Sequence, residues 1–367
     1  MVLANRIFLP LLCALTAASL SAAEFNIPDV AQPGENGYVS GELIYPLNNK
    51  PTPQCHASTL AQLPEGTIVA AWFGGTHEKN SDVGIWFARH GEDGWSQPVE
   101  LVDGSEGEDK DYACWNPVLF QPKKGPLMLF YKVGPSPSTW WGMLITSADG
   151  GKTWSRPRKL GESEKLGQAN PNLIGPVKNK PIQLADGSIL CPSSSEHNRW
   201  RVHFELTKDL GNTWQVIGPI HDGQKISAIQ PSILTYEDGS LQILCRTRQN
   251  VVGQAWSKDG GRTWSEVTAT DLPNPNAGTD AVTLQDGRQL LVYNHTTRSS
   301  KPAGRQMLNV ALSRDGKNWR PVLTLVRQSG EYSYPAVIQT ADGNVHITYT
   351  YQRRSVKHVV LDPNKLK

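Results

Sequence analysis

Ser147-Ala148-Asp149-Gly150-Gly151-Lys152-Thr153-Trp154 reads as a β-hairpin turn that carries its own lock. The Asp carboxylate can hydrogen-bond the turn backbone, a glycine takes the left-handed position, and the Trp ring packs over the loop. The same form returns at Thr207-Lys208-Asp209-Leu210-Gly211-Asn212-Thr213-Trp214 and at Ser257-Lys258-Asp259-Gly260-Gly261-Arg262-Thr263-Trp264. A shortened copy runs from Ser313 to Trp319, and a worn one, Glu92-Asp93-Gly94-Trp95-Ser96, precedes them all. A turn recurring in this way marks an internal repeat, and a repeat decides the fold before any single residue does.

A second signal runs in step with the first: a short apolar strand, a Gly-bearing turn and a second apolar strand. Its copies are Leu60 to Ala70 around Gly66, Val118 to Phe130 around Gly125, Ile182 to Cys191 around Gly187, Ile233 to Leu244 around Gly239, Val282 to Val292 around Gly287, and Val337 to Tyr349 around Gly343. A spacing of roughly fifty to sixty residues is typical of four-stranded propeller blades. The reading is therefore all-β, a six-bladed propeller of four-stranded blades. Each hairpin forms the two inner strands, and the Asp-bearing turn joins the outer two. The last repeat ends on Ser355 to Leu361, and Gly37 to Leu47 stands before the first repeat without a partner. We expect that early segment to join the last blade and close the ring, which removes the edges an open array would expose. The Asp residues of the turns recur from blade to blade, so they serve the blades and not the chemistry.

Composition narrows the function. Charged residues make up 19% of the 367 and the net charge is +2, which points to neither nucleic acid nor an anionic membrane surface. Met1 to Ala23 reads as a secretory signal, with Arg6 at its start, an apolar centre from Ile7 to Leu20, and Ser21-Ala22-Ala23 as a small-residue cleavage site. Leu12 stands before Cys13 where a lipoprotein signal wants a small residue. The expectation is a periplasmic or secreted monomer in which residues 24–367 form one propeller. The remaining cysteines, Cys55, Cys114, Cys191 and Cys245, lack metal-ligand spacing, and no metal or cofactor is expected.

A propeller's pocket lies at one mouth of its channel, around the ends of the innermost strands. Aligning the six repeats there puts His56, Asn116, Lys180, Gln230, Asp280 and Tyr334 in equivalent places, four of the six triplets ending in Pro. Six different polar residues converging on one axis point to a ligand site. Arg246 and Arg305 stand in otherwise strand-like runs, and a half-buried Arg wants a planar anion such as a carboxylate. Trp115, with Trp140 and Trp141, offers sugar-stacking faces.

Six repeats with Asp-box turns resemble the sialidase superfamily, six-bladed propellers that cleave terminal sialic acid. The resemblance covers nearly the whole mature chain. It implies that Arg246 and Arg305 are two of the family's three carboxylate-binding arginines, that Tyr332 in Tyr332-Ser333 is the nucleophile, and that Asp82 is the acid/base. Two departures stand out. Where the family has Arg-Ile-Pro this chain has Cys55-His56-Ala57, and where it has the glutamate that polarises the tyrosine this chain has Gln230, an amide that cannot take a proton. The stretches around Asn116, Lys180 and Tyr332 resemble a bacterial and fungal group of predicted neuraminidases, whose relatives remove rhamnose linked to glucuronic acid by lyase or hydrolase chemistry using histidine.

Three functions follow as expectations. The first is an enzyme acting on the acidic-sugar end of a glycan, a uronic acid, with Arg246 and Arg305 neutralising the carboxylate and His56, Tyr332 or Lys180 moving protons. The second is an exo-α-sialidase with a remodelled pocket, and the third a carbohydrate-binding propeller without turnover.

Overall fold

The computed structural model describes residues 25–105, 111–163 and 173–366; the expected signal segment, Cys13 included, lies outside them. Their strands form six antiparallel sheets, one per repeat. Blade 1 runs through Gln54–Gln62, Ile68–Gly75 and Gly84–Gly91, and its third strand pairs with both Gly94–Trp95 and Val99–Val102. In blades 2 to 5 the innermost strands are Cys114–Phe120, Ile182–Gln183, Ala228–Thr235 and Asp280–Thr283. Blade 6 holds Tyr332–Gln339, Val345–Tyr351 and Ser355–Leu361, and its outermost strand is Tyr38–Leu43 from the start of the chain. That strand lies antiparallel to Ser355–Leu361, so the ring closes as expected.

The Asp-bearing turns carry the lock their sequence implies. Asp149 Oδ1 accepts from the Ser147 hydroxyl at 2.8 Å and from the backbone N–H groups of Lys152 and Thr153 at 3.1 and 2.9 Å, while Oδ2 accepts from the Thr153 hydroxyl at 2.6 Å. Asp209 and Asp259 repeat this set. These donors, led by the Thr hydroxyls and N–H groups, hold the Asp209 and Asp259 carboxyls down at about 2. The turns also join blades. Trp154 packs edge-on against Phe87 of blade 1, with ring centroids 5.4 Å apart, and Trp264 stacks on Phe204 of blade 3 at 4.4 Å. Gly151 is required twice over: its φ is +86°, and a Cβ there would sit 2.5 Å from the Phe87 ring.

The core lies between blades. Ala71, Phe73, Ile85 and Phe87 of blade 1 belong to one buried cluster with Val118, Leu129, Phe130 and Ile145 of blade 2. The four described cysteines, Cys55, Cys114, Cys191 and Cys245, are buried free thiols, and burial pushes them up, Cys55 to about 12.

Candidate functional site

The innermost strands share one distortion, and it sets which side chains reach the mouth. Pairing between the two inner strands slips by one residue between His56 and Thr59, Trp115 and Val118, Ile229 and Ser232, and Ser333 and Ala336. At each slip one residue takes a left-handed backbone: Ala57, Asn116, Gln230 and Tyr334, with φ from 39° to 56°. Such a bulge turns its residue out of the alternation of the strand. Lys178 of blade 3 also has a left-handed φ, of 70°. A Cβ on Gly278 of blade 5 would lie 3.2 Å from Lys178 Cε and 3.3 Å from both Gln230 Oε1 and the Tyr334 ring. The residues at the bulge level are therefore Ala57, Asn116, Lys178, Gln230, Gly278 and Tyr334.

This corrects the sequence alignment in three blades. His56 stands one residue before the bulge, because Ser58 follows Ala57 where other repeats have Pro. Lys180 and Asp280 stand two residues beyond it, inside the channel wall. Lys180 Nζ donates to both Asp280 oxygens at 3.0 Å and to the Ala281 carbonyl at 2.8 Å. Asp280, 2% exposed, also accepts from the Ser232 hydroxyl and the Val337 N–H. The pair ties blades 3, 4, 5 and 6 together. Lys178 spans the axis, its Nζ donating to Asn179 Oδ1 and to the carbonyls of Thr279 and Pro335. Burial brings its ammonium down to about 7, although Asp280 opposes the shift.

The mouth cluster is built around Tyr334. Arg246 Nη1 donates to the Tyr334 hydroxyl, and the Gln230 amide reaches that hydroxyl at 3.3 Å. Arg246 Nε donates to Asn276 Oδ1 at 2.7 Å, and its guanidinium lies 4.9 Å from the centre of the Trp200 ring. Arg305 lies 5.2 Å from the centre of the Tyr334 ring and donates to Glu331 Oε1 at 2.6 Å. The His56 ring packs against Tyr334 with centroids 4.1 Å apart, and its Nδ1 is 2.9 Å from the Thr350 hydroxyl and 3.9 Å from Glu331. Burial, then the charges of Arg353, Arg305, Arg246 and Lys178, pushes His56 well below its ordinary value, so its imidazole is neutral at pH 7. Burial also draws Arg246 below its ordinary value, against the pull of Tyr334 and with the push of Arg305.

Three expected residues sit elsewhere. Tyr332 is 0% exposed in the core of blade 6, its hydroxyl bonded to the Ser329 carbonyl and the Gln352 amide. It is two residues before the bulge and belongs to the apolar cluster of blades 5 and 6, so it does not face the arginines. Trp115 is 2% exposed, packs between Phe73 and Trp140, and donates its indole N–H to the Gly134 carbonyl, which leaves it no free face for a sugar. Asp82 is exposed in the loop between the second and third strands of blade 1, where its carboxylate accepts from the Thr76 N–H and hydroxyl. The carboxylate that this loop sends to the cluster is Glu78.

Glu78 accepts from Arg353 Nη1 at 2.7 Å, and Arg353 Nε donates to Glu331 Oε2 at 2.8 Å. Arg353 lies in the hairpin turn of blade 6 with φ +54°, and its carbonyl accepts from the Cys55 N–H. A third guanidinium thus stands beside His56 although Arg-Ile-Pro is absent. Glu196 is also drawn in: burial raises its carboxyl, while Arg246 and a hydrogen bond from Trp200 hold it down. Tyr334 was legible in sequence from the Pro that follows it; Arg353, Glu78 and Glu196 carried no such mark. A cleft of about 880 Å³ opens near the far end of the inner strands, between blades 4 and 5, lined by Tyr236, Trp256, Asp286 and Arg314. No residue of the mouth cluster lines it.

A family model described as a BNR repeat-like domain matches residues 66–347. The chain belongs to the BNR repeat-like family. This BNR-repeat propeller is 25% identical over 237 residues to a sialidase of Bacteroides fragilis (strain YCH46), a match covering 61% of this chain and 41% of that protein. The chain thus spans about two fifths of the length of that relative. Among solved structures, the intramolecular trans-sialidase from Ruminococcus gnavus in complex with oseltamivir carboxylate superposes with a TM-score of 0.70 at 17% identity, over 90% of this chain and 99% of that one. A Dyadobacter fermentans DSM 18053 protein of unknown function superposes with a TM-score of 0.71 at 18% identity, over 88% and 98%. At these identities the likeness is one of fold: a sialidase-like propeller.

Proposed function

We propose that this propeller is a glycan-acting enzyme that takes the terminal acidic sugar of its substrate, a uronic acid, and anchors the sugar carboxylate on Arg246 and Arg305. The observation that carries the reading is their convergence, with the neutral His56, on Tyr334. Arg246 uses Nε and Nη1 internally and keeps N–H groups for an anion; a guanidinium has five. Its burial, with no carboxylate among the described residues in hydrogen-bonding contact, favours an anionic guest.

Elimination acts on a uronate that carries a further sugar at O4: with the carboxylate neutralised, a base takes the α-proton from C5, the C4–O bond breaks as the C4–C5 double bond forms, and an acid protonates the departing sugar oxygen. The arginines neutralise the carboxylate. His56, uncharged at neutral pH, is the candidate base. Glu196, whose carboxyl burial raises, and the Tyr334 phenol are candidates for the acid. With water as the attacking group the same residues serve hydrolysis. Gln230 beside Tyr334 favours this family of reactions over attack by the tyrosine, because an amide cannot accept the phenolic proton.

A second reading, a sialidase with a remodelled pocket, rests on the same tyrosine. Tyr334 stands within hydrogen-bonding reach of Arg246 and of residue 230, and the B. fragilis relative is named a sialidase. One experiment separates the two. The protein is incubated with a sialyl-glycoside reporter and with arabinogalactans whose outer glucuronate is either free or carries a neutral sugar at O4. Uronate release, or an ultraviolet-absorbing unsaturated uronate, is the expected result. Free sialic acid with no action on the uronate glycan overturns the first reading.

A further inference from the structure

The ring closes at one seam, where blade 6 meets blade 1. On the blade 6 side Glu42 and His358 face each other as a cross-strand pair. On the blade 1 side His90 and Trp95 do the same. The two pairs meet across the seam. Glu42 Oε1 lies 3.2 Å from His90 Nε2 and 3.6 Å from His358 Nδ1, and one ligand atom from each residue lies within 4.8 Å of the others. Zinc bound at about 2.0–2.2 Å in a tetrahedron spaces neighbouring donor atoms about 3.4 Å apart. Two of the three edges therefore already have the spacing of such a site.

The hydrogen bonds fix the tautomer that a ligand needs. Trp95 Nε1 donates to His358 Nδ1 at 3.3 Å, so Nδ1 carries a lone pair. Nε2 then holds the hydrogen and donates it to His346 Nδ1 at 3.0 Å. A metal-ligating histidine is oriented in this way, through an outer partner on its second nitrogen. The Nδ1 atom and the Glu42 carboxylate lie 3.6 Å apart, and a cation between them would take the Nδ1 lone pair in place of the long bond from Trp95.

We propose that Glu42, His90 and His358 form a divalent transition-metal site of the zinc class at the closing seam of the propeller. Two nitrogens and one carboxylate suit zinc over magnesium or calcium, which prefer all-oxygen sets. Glu42 and His90 are partly exposed, which leaves access for the ion and for a water as fourth ligand. Bound there, the ion joins the outermost strand of blade 6 to blade 1 and stabilises the closed ring by mass action.

The test uses the full chain after treatment with EDTA. Titration with Co²⁺ should give one equivalent of a visible tetrahedral absorption that Zn²⁺ abolishes, and Zn²⁺ but not Mg²⁺ should raise the melting temperature. Glu42→Gln and His90→Ala change half-exposed side chains and should leave the metal-free melting temperature close to that of the parent. Each should weaken Co²⁺ binding about tenfold or more. His77→Ala, an exposed histidine elsewhere, should change nothing. Absence of binding, or a titration unchanged in either seam variant, overturns the proposal.

Discussion

Replacing Arg246 by Met removes the fork of the carboxylate anchor while keeping the bulk of its stem. In the parent, Arg246 Nε is committed to Asn276 at 2.7 Å and Nη1 to the Tyr334 hydroxyl. With a longer bond from Nη1 to Gln230 Oε1 at 3.5 Å, the two N–H groups of Nη2 remain for a sugar carboxylate. A hydrogen bond to a charged group contributes about 1.5–3 kcal/mol. Loss of one or two should weaken binding by about 2–5 kcal/mol, roughly thirtyfold to several thousandfold at about 1.4 kcal/mol per decade. Stability should change little, because a half-buried cation with no carboxylate among the described residues bonded to it gives way to an apolar chain of similar length. Calorimetric titration with a glucuronate-terminated oligosaccharide, and with its neutral glucose counterpart as control, reads the difference. The thermal melt establishes that the variant is folded. A folded Arg246→Met variant that keeps the acidic ligand within about threefold of the parent refutes the anchor, and the mouth would then need another source of affinity.

Tyr334→Phe should lower turnover on the substrate by about a hundredfold or more, the scale of a lost acid or base. Tyr332→Phe should leave turnover near the parent and cost about 1 kcal/mol of stability through its buried hydroxyl, as read by urea unfolding. Asp280→Asn breaks a buried ion pair and should cost about 3–5 kcal/mol by the same measurement, with glycan affinity unchanged if the folded fraction is accounted for. Stability should also fall with acid. His295 and His346 titrate at about 4 and His358 at about 3 in the fold, against about 6.5 in an unfolded chain. Below pH 6.5 the unfolded state therefore takes up protons that the native state refuses, so this contribution is full above 6.5 and declines as the pH drops toward 4. Each imidazole accounts for on the order of 1–2 kcal/mol at pH 5. A melting temperature that stays level between pH 7 and pH 5 would contradict this.

The features legible in sequence were those whose physics is local. An Asp-bearing turn is locked within eight residues, so Ser147 to Trp154 announces its own geometry and, by repetition, the ring. Arg246 was legible because a charged side chain interrupted an apolar run. The mouth register was harder. Pro at the third place marks the bulge in blades 2, 4 and 6, but Ser58 takes that place in blade 1, and aligning on composition moved His56 by one residue. The same slip decides between Tyr332 and Tyr334: two tyrosines two residues apart, one sent into the core and one to the mouth by a left-handed turn at residue 334. Arg353 could not be found at all from local pattern. It reaches the site because blade 6 lies beside blade 1, a neighbourhood that only the closed ring creates.

The strand Tyr38–Leu43 is made about 310 residues before its partner Ser355–Leu361. At about 5–20 residues per second, the interval between them is on the order of 15–60 s of synthesis. During that time the early strand has no edge to join, and blade 6 has no fourth strand. Blades 2 to 5 are each continuous in sequence and can form as they emerge. Closure of the ring is therefore a single long-range capture, and the waiting strand is the segment to keep away from other edges until it occurs.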